Sequence, residues 1–257
     1  MSDLPNFIEP NKRNIHIVKW GYNMKPLIGI LGRSEESKTE MPLISIQEKE
    51  RMAVIKSGGI PILILPPQTV EYRRSIPREL PKLTKEEKEI IDKQLRVVDG
   101  ILLPGGDISY EYDRYVVSRA IEKDIPLLGI CMGMQVMTFY NKQPNLKKIE
   151  KESSHFNRRK KYVHGTFIDT KSKLYEIVKQ EKIEVNSIHR YEVQKDNQFK
   201  IAAVSADGVI EAIEYPKCRF CLGVQFHPEL NIDTDVNSQK ILEAFIEAAL
   251  LYHNQHI

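Results

Sequence analysis

The sequence is poor in cysteine, with three in 257 residues, and carries a single tryptophan. An odd, sparse set of thiols does not build a disulfide framework and directs attention to individual reactive cysteines. Long hydrophobic runs are missing too: no apolar stretch approaches the roughly 18 residues that a membrane-spanning helix requires. Charge of one sign is not in excess either, since 38 basic and 35 acidic side chains leave a formal charge of +3. Over this length such a balance points to neither a nucleic acid nor a membrane surface as partner. The N-terminal residues are polar and interrupted by Pro5 and Pro10, without the apolar core of a secretory signal, so a cytoplasmic location is expected. What is present, 41% hydrophobic and 28% charged residues, is the composition of a globular chain with a sizeable core.

Residues 1–24 show no clear periodicity, although Ile15, Ile17, Val18 and Trp20 could add a short strand. They are expected to form an N-terminal extension ahead of one domain at residues 25–257. Within that domain strand and helix signals alternate, which is the signature of a parallel sheet covered on both faces. Strands are expected at Pro26 to Leu31, Ile60 to Leu65 (buried), Ile101 to Leu103 and Leu127 to Ile130. Ser45 with Glu48 and Thr84 with Glu87 read as capping boxes of two helices, the first ended by Gly58-Gly59 and the second burying Ile90, Ile91 and Leu95. A third helix runs through Val116, Val117 and Ala120. Beyond about residue 142 the signals become antiparallel, with Asp207-Gly208 as a hairpin turn. The last helix places Ile241, Leu242, Phe245, Ile246 and Ala249 on one face. The expected fold is an α/β three-layer sandwich with a mostly parallel central sheet, plus antiparallel strands in the C-terminal half.

The sharpest local signal is Gly129-Ile130-Cys131-Met132-Gly133, set between an apolar strand and a helical run. A strand-to-helix turn this tight holds its central residue in a strained conformation, and small neighbours on either side let the backbone pass. The thiol then stands at a helix N-terminus, where partial positive charge favours the thiolate. A second signal is His227-Pro228-Glu229 at the end of the strand Phe220 to Phe226. Pro228 ends the strand, so the Glu229 carboxylate can return beside the imidazole and fix its tautomer. The third is Pro104-Gly105-Gly106-Asp107, after another strand and so at the same edge of a parallel sheet. Paired glycines let amides point into a site, and those of Gly106 and Met132 would form an oxyanion hole.

These pieces, in this order, resemble the class I glutamine amidotransferase superfamily, whose Cys-His-Glu triad matches Cys131, His227 and Glu229. Within it, Lys25 to Ile30, Ser57 to Pro61, Val185 to His189 and Asp207 to Glu214 are similar to the γ-glutamyl hydrolase branch. The resemblance implies a flavodoxin-like core and hydrolysis of a γ-glutamyl amide through a thioester on Cys131, with no cofactor and no metal. It implies a small γ-glutamyl compound as substrate and leaves open whether the chain forms a homodimer. The alternative is a glutaminase subunit that supplies ammonia to a separate synthetase. Gly105, Gln135, Ser187 and His189 are expected to contact substrate, Gln135 because it lies one helical turn after Cys131 and the last two because they alternate at a strand end. The chain departs from the family near the expected pocket: Met132 stands where arginine is common, Asn141 to Pro144 replace a Gly-Gly-Thr segment, and Arg190-Tyr191 follow His189.

Two other patterns are read as structural. Cys218-x-x-Cys221 lacks the further ligands of a zinc site. The basic run Arg158 to Lys161 has no interleaved aromatics and reads as a solvated loop.

Overall fold

The computed structural model describes residues 24–36, 41–68, 81–150 and 154–256. Residues 1–23, with the strand considered around Ile15 to Trp20, lie outside the described residues. The first half of the chain runs β1 (Leu27–Leu31), β2 (Arg33–Glu36), β3 (Pro42–Ser45), α1 (Glu48–Lys56), β4 (Ile60–Ile64), α2 (Lys85–Leu95), β5 (Gly100–Leu103), α3 (Glu111–Lys123), β6 (Leu127–Ile130) and α4 (Met132–Phe139). It continues as β7 (Leu146–Lys148), β8 (His164–Ile168), α5 (Lys173–Val178), β9 (Lys182–Val185), β10 (Tyr191–Val193), β11 (Lys200–Ser205), β12 (Ile210–Glu214), β13 (Cys221–Val224), α6 (Pro228–Asn231) and α7 (Val236–His256).

Nine strands form one sheet in the order β4-β1-β5-β6-β13-β12-β11-β8-β9. The neighbours from β4 to β13 pair in parallel, and from β13 to β9 every pairing is antiparallel. The central strands are apolar on both sides because helices cover both faces. On one face Ile28, Ile30, Leu128 and Ile130 pack with Ala53 and Val54 of α1, Leu174 of α5 and Phe245 of α7. On the other, Leu103 and Leu127 pack with Ile91 of α2, Val117 of α3 and Met134 of α4. The three-layer sandwich with an antiparallel extension is therefore observed. Asp207 and Gly208 turn between β11 and β12, with Gly208 at φ 85°.

Several local details differ from expectation. The cap of α1 is Gln47, whose amide donates to Glu50 at 2.9 Å, two residues later than the Ser45 and Glu48 pairing. Ser45 is instead the last residue of β3. On α2 the Thr84 and Glu87 box is present, but only Ile91 and Leu95 are buried, and Ile90 is 48% exposed. Residues 91 and 95 are one turn apart on a single face; residue 90 lies a hundred degrees round the helix. β4 is an edge strand rather than a buried one, with Ile60 43% and Leu63 38% exposed, and an edge is where Pro61 is tolerated. The small β2-β3 and β7-β10 pairs were not evident from periodicity.

Candidate active site

β6 and β13 are adjacent and parallel, with Ile130 opposite Val224. Whatever follows each strand emerges at the same edge, and that brings Cys131 beside His227. The Cys131 amide donates to the Val224 carbonyl at 2.8 Å, fastening the turn to the neighbouring strand. Cys131 has φ 52° and ψ −107°, a region costly for any residue with a Cβ. The flanking glycines are required by contact: a Cβ on Gly133 would stand 2.1 Å from the Leu103 carbonyl oxygen, and one on Gly129 would stand 2.9 Å from Gly133 backbone. Helix α4 begins at the next residue, so Cys131 occupies the positive end of its dipole.

His227 Nδ1 lies 2.7 Å from Glu229 Oε1, and Glu229 is 1% exposed on the first turn of α6. Cys131 is close enough to the imidazole to favour its charged form. Burial disfavours the imidazolium, but the Glu229 carboxylate and Cys131 outweigh it and hold His227 well above the ordinary histidine range. The His227 backbone is clamped by Asn186, whose amide nitrogen donates to its carbonyl and whose oxygen accepts from its amide, both at 2.7 Å.

The Gly105-Gly106 turn follows β5, on the other side of β6. A Cβ on Gly105 would meet His227 Cε1 at 3.1 Å and Cys131 Cβ at 3.6 Å, so the turn packs directly over the pair and a side chain there would crowd the imidazole. A buried guanidinium braces this turn. Arg33 donates to the Gly105 carbonyl at 3.2 Å and the Pro104 carbonyl at 2.5 Å, and pairs with Asp113, which is fully buried. Asp113 in turn accepts from the Tyr110 amide at 2.7 Å. Two carbonyls of the turn, those of Pro104 and Gly105, are thereby held by one side chain. Neither Arg33 nor Asp113 stands in a recognisable motif.

A cavity of about 120 Å³ opens on Cys131, lined also by Gly106, Met132, Gln135, Phe156, Arg158, His189 and Arg190. Arg190 stacks on the Phe156 ring at 3.8 Å and Arg158 lies over it at 5.6 Å. The basic run thus contributes one side chain to the cavity, while Arg159 and Lys160 are exposed. Gln135 lines this space, but its amide nitrogen reaches Gln225 Oε1 at 3.2 Å and the Tyr191 carbonyl at 3.3 Å. Ser187 does not face it: the residue is fully buried and its hydroxyl donates to the His155 carbonyl at 2.7 Å. Past Val185 the strand has ended, so the alternation expected to turn Ser187 toward the cleft no longer applies. A second cavity of about 270 Å³ lies on the far side of the Gly105 to Asp107 turn, lined by Arg33, Ser34, Gln47, Glu50 and Tyr110 among others. Burial and the nearby Glu229 charge push the Glu50 carboxyl up to about 7. Cys218 and Cys221 are buried, and burial raises both thiols, Cys218 to about 11.

Residues 109–229, which include Cys131, His227 and Glu229, match the Peptidase C26 family. A glutamine amidotransferase-like protein of Rickettsia prowazekii is 27% identical, over 88% of this chain and 98% of its own length. The likeness is to class I glutamine amidotransferases. The CTP synthase of Rhizobium meliloti is 31% identical over 66% of this chain, which spans 39% of that protein. The glutaminase domain of Trypanosoma brucei CTPS, solved with bound acivicin, superposes with a TM-score of 0.60 at 20% identity, over 88% of this chain and 94% of that one, and shows a common fold. Together these support the superfamily and do not single out its γ-glutamyl hydrolase branch. No helix among the described residues is long and apolar enough to cross a membrane.

Proposed function

We propose that the chain is a cysteine-dependent hydrolase that cleaves the γ-glutamyl amide bond of a small γ-glutamyl compound through a γ-glutamyl thioester on Cys131. The observation that carries this reading is the strained cysteine at the start of α4, next to a His227–Glu229 pair, opening into a cavity lined by two arginines. Arginine suits the α-carboxylate of a glutamyl group. The Cys131 thiolate attacks the γ-carbonyl, and the Gly106 and Met132 amides hold the developing oxyanion. The C–N bond breaks as the His227 imidazolium gives its proton to the departing amine. A water molecule, deprotonated by His227, then attacks the thioester; the C–S bond breaks, glutamate leaves and the thiolate is restored. Glu229 orients the imidazole and stabilises its cationic form throughout.

The test is to incubate the purified chain with glutamine and a panel of γ-glutamyl amides, and to weigh the trapped protein. A γ-glutamyl adduct on Cys131 and turnover of the amides are expected. No turnover and no adduct would overturn the reading. A second reading is favoured by the likeness to CTP synthase: a glutaminase that delivers ammonia to a separate synthetase. It predicts turnover of glutamine that appears only with that partner.

A further inference from the structure

Away from the thiol, three histidines converge on one buried carboxylate. His155 lies in the loop before β8, His164 is the first residue of β8, His189 follows β9 and Glu211 sits in β12. Their side chains are 1%, 15%, 1% and 0% exposed. Nδ1 of His155, Nε2 of His164 and Nε2 of His189 stand 3.2, 3.4 and 3.6 Å from the same Glu211 Oε1. Despite this closeness none of the three nitrogens, and neither carboxylate oxygen, has a hydrogen bond of acceptable alignment. Buried polar atoms left so are uncommon and call for a reason.

The opposite nitrogen of every ring is held from outside. His155 Nε2 meets the Asp207 carboxylate at 3.1 Å, His189 Nδ1 meets the Tyr191 carbonyl at 3.1 Å, and His164 Nδ1 approaches the Gly165 carbonyl at 3.4 Å. All three outer groups are acceptors, so each ring in its neutral form keeps its N–H outward and turns a lone pair toward the others. That is how metal-binding histidines are oriented. The four inner donor atoms all lie within 4.8 Å of one another. In a tetrahedral site with bonds of about 2.0–2.1 Å, neighbouring donors stand about 3.3 Å apart. The separations from Oε1 straddle that value.

We propose that His155, His164, His189 and Glu211 form a structural site for a divalent transition metal, with Zn2+ the ion best matched. Imidazole donors with one carboxylate select against Ca2+ and Mg2+, and four protein ligands close the coordination sphere to substrate. The ion joins β8 and β12 to the two loops that wall the cavity, through Phe156 on one and Ile188 and His189 on the other. Asn186, which clamps the His227 backbone, belongs to the second loop. The metal therefore acts on the cavity wall and not on the reacting atoms, and its presence does not depend on which amide Cys131 attacks.

The full chain, purified without a histidine tag, is stripped with chelator and titrated with Zn2+ or Co2+. One ion per chain surviving dialysis is expected by elemental mass spectrometry. The Co2+ form is expected to show the intense visible absorption of a tetrahedral site without a thiolate charge-transfer band. X-ray absorption of the Zn2+ form is expected to give three imidazole nitrogens and one oxygen at about 2.0–2.1 Å. Stoichiometry should survive in Cys131→Ala and Cys218→Ser and fall at least tenfold in His164→Ala and Glu211→Gln. Substoichiometric metal in the wild-type chain, sulfur in the first shell, or undiminished binding by folded His164→Ala overturns the site. Absorption on the wild-type chain decides the matter if the variants do not fold.

Discussion

In the parallel half of the sheet, from β4 to β13, the site residues sit just past strand ends and owe their meeting to strand order. In the antiparallel half, from β12 to β9, the polar residues lie within strands or on loops that fold back, and they face one another across the sheet. Cys131 and His227 belong to the first kind: two neighbouring parallel strands end level with each other, and the chain beyond each emerges at the same edge. His164 and Glu211 belong to the second, on β8 and β12, which are separated by β11. One half gathers its candidate catalytic residues at an edge; the other holds a buried polar cluster behind the adjoining wall.

The comparison is broken most severely by removing the thiol. Cys131→Ala is expected to lower turnover of a γ-glutamyl amide by at least about 10⁴-fold, with thermal stability unchanged or raised, because alanine leaves the same backbone. Loss of less than tenfold would show that the edge does not carry the reaction. Glu229→Gln is expected to lower kcat by about 10²- to 10³-fold. Glu229 raises the His227 pKa, so without it the imidazolium is lost at lower pH, and the basic limb of the kcat/KM profile should move down. An unmoved limb would assign Glu229 to packing.

Arg33→Met tests the brace behind the Gly105 turn. It leaves Asp113 buried without its partner, and a loss of about 3 kcal/mol in stability is expected from denaturant unfolding, together with reduced kcat. The smallest effect is at Glu50. Its carboxyl is neutral in the folded chain up to about 7, so the associated stability is complete below its ordinary value and is lost as pH rises through 7. Glu50→Gln should flatten that dependence and gain about 1–2 kcal/mol at pH 8 relative to wild type. Equal pH slopes for both proteins in thermal melts would remove Glu50 from this account.

The two halves also differ in how legible they were. Gly129 to Gly133 and His227 to Glu229 are contiguous, so each could be read locally, as a turn and as a pair, and the two together outweighed the plainer reading of each as packing. The parallel sheet covered on both faces needed only the alternation of apolar runs with capped helices, whereas the order of its strands came from the structure. The histidine cluster was not legible as a unit: its members run from residue 155 to residue 211, and of them only His189 was singled out, as a substrate contact. Among possible metal ligands the sequence drew attention only to Cys218 and Cys221. Arg33 was equally silent, because a guanidinium that binds carbonyls 71 and 72 residues away leaves no local trace. Ser187 failed for the opposite reason: a pattern was read beyond the strand that generated it.

Gly106 and Asp107 line both cavities. The partition between the two spaces is therefore a single turn of chain, with the thiol on one side and Arg33 and Glu50 on the other. A small molecule lodged in the larger space would press on the turn that also lines the space around Cys131. Under the reaction proposed for Cys131, the back of that thin partition is where a screen should look for compounds that silence the thiol without competing for its substrate.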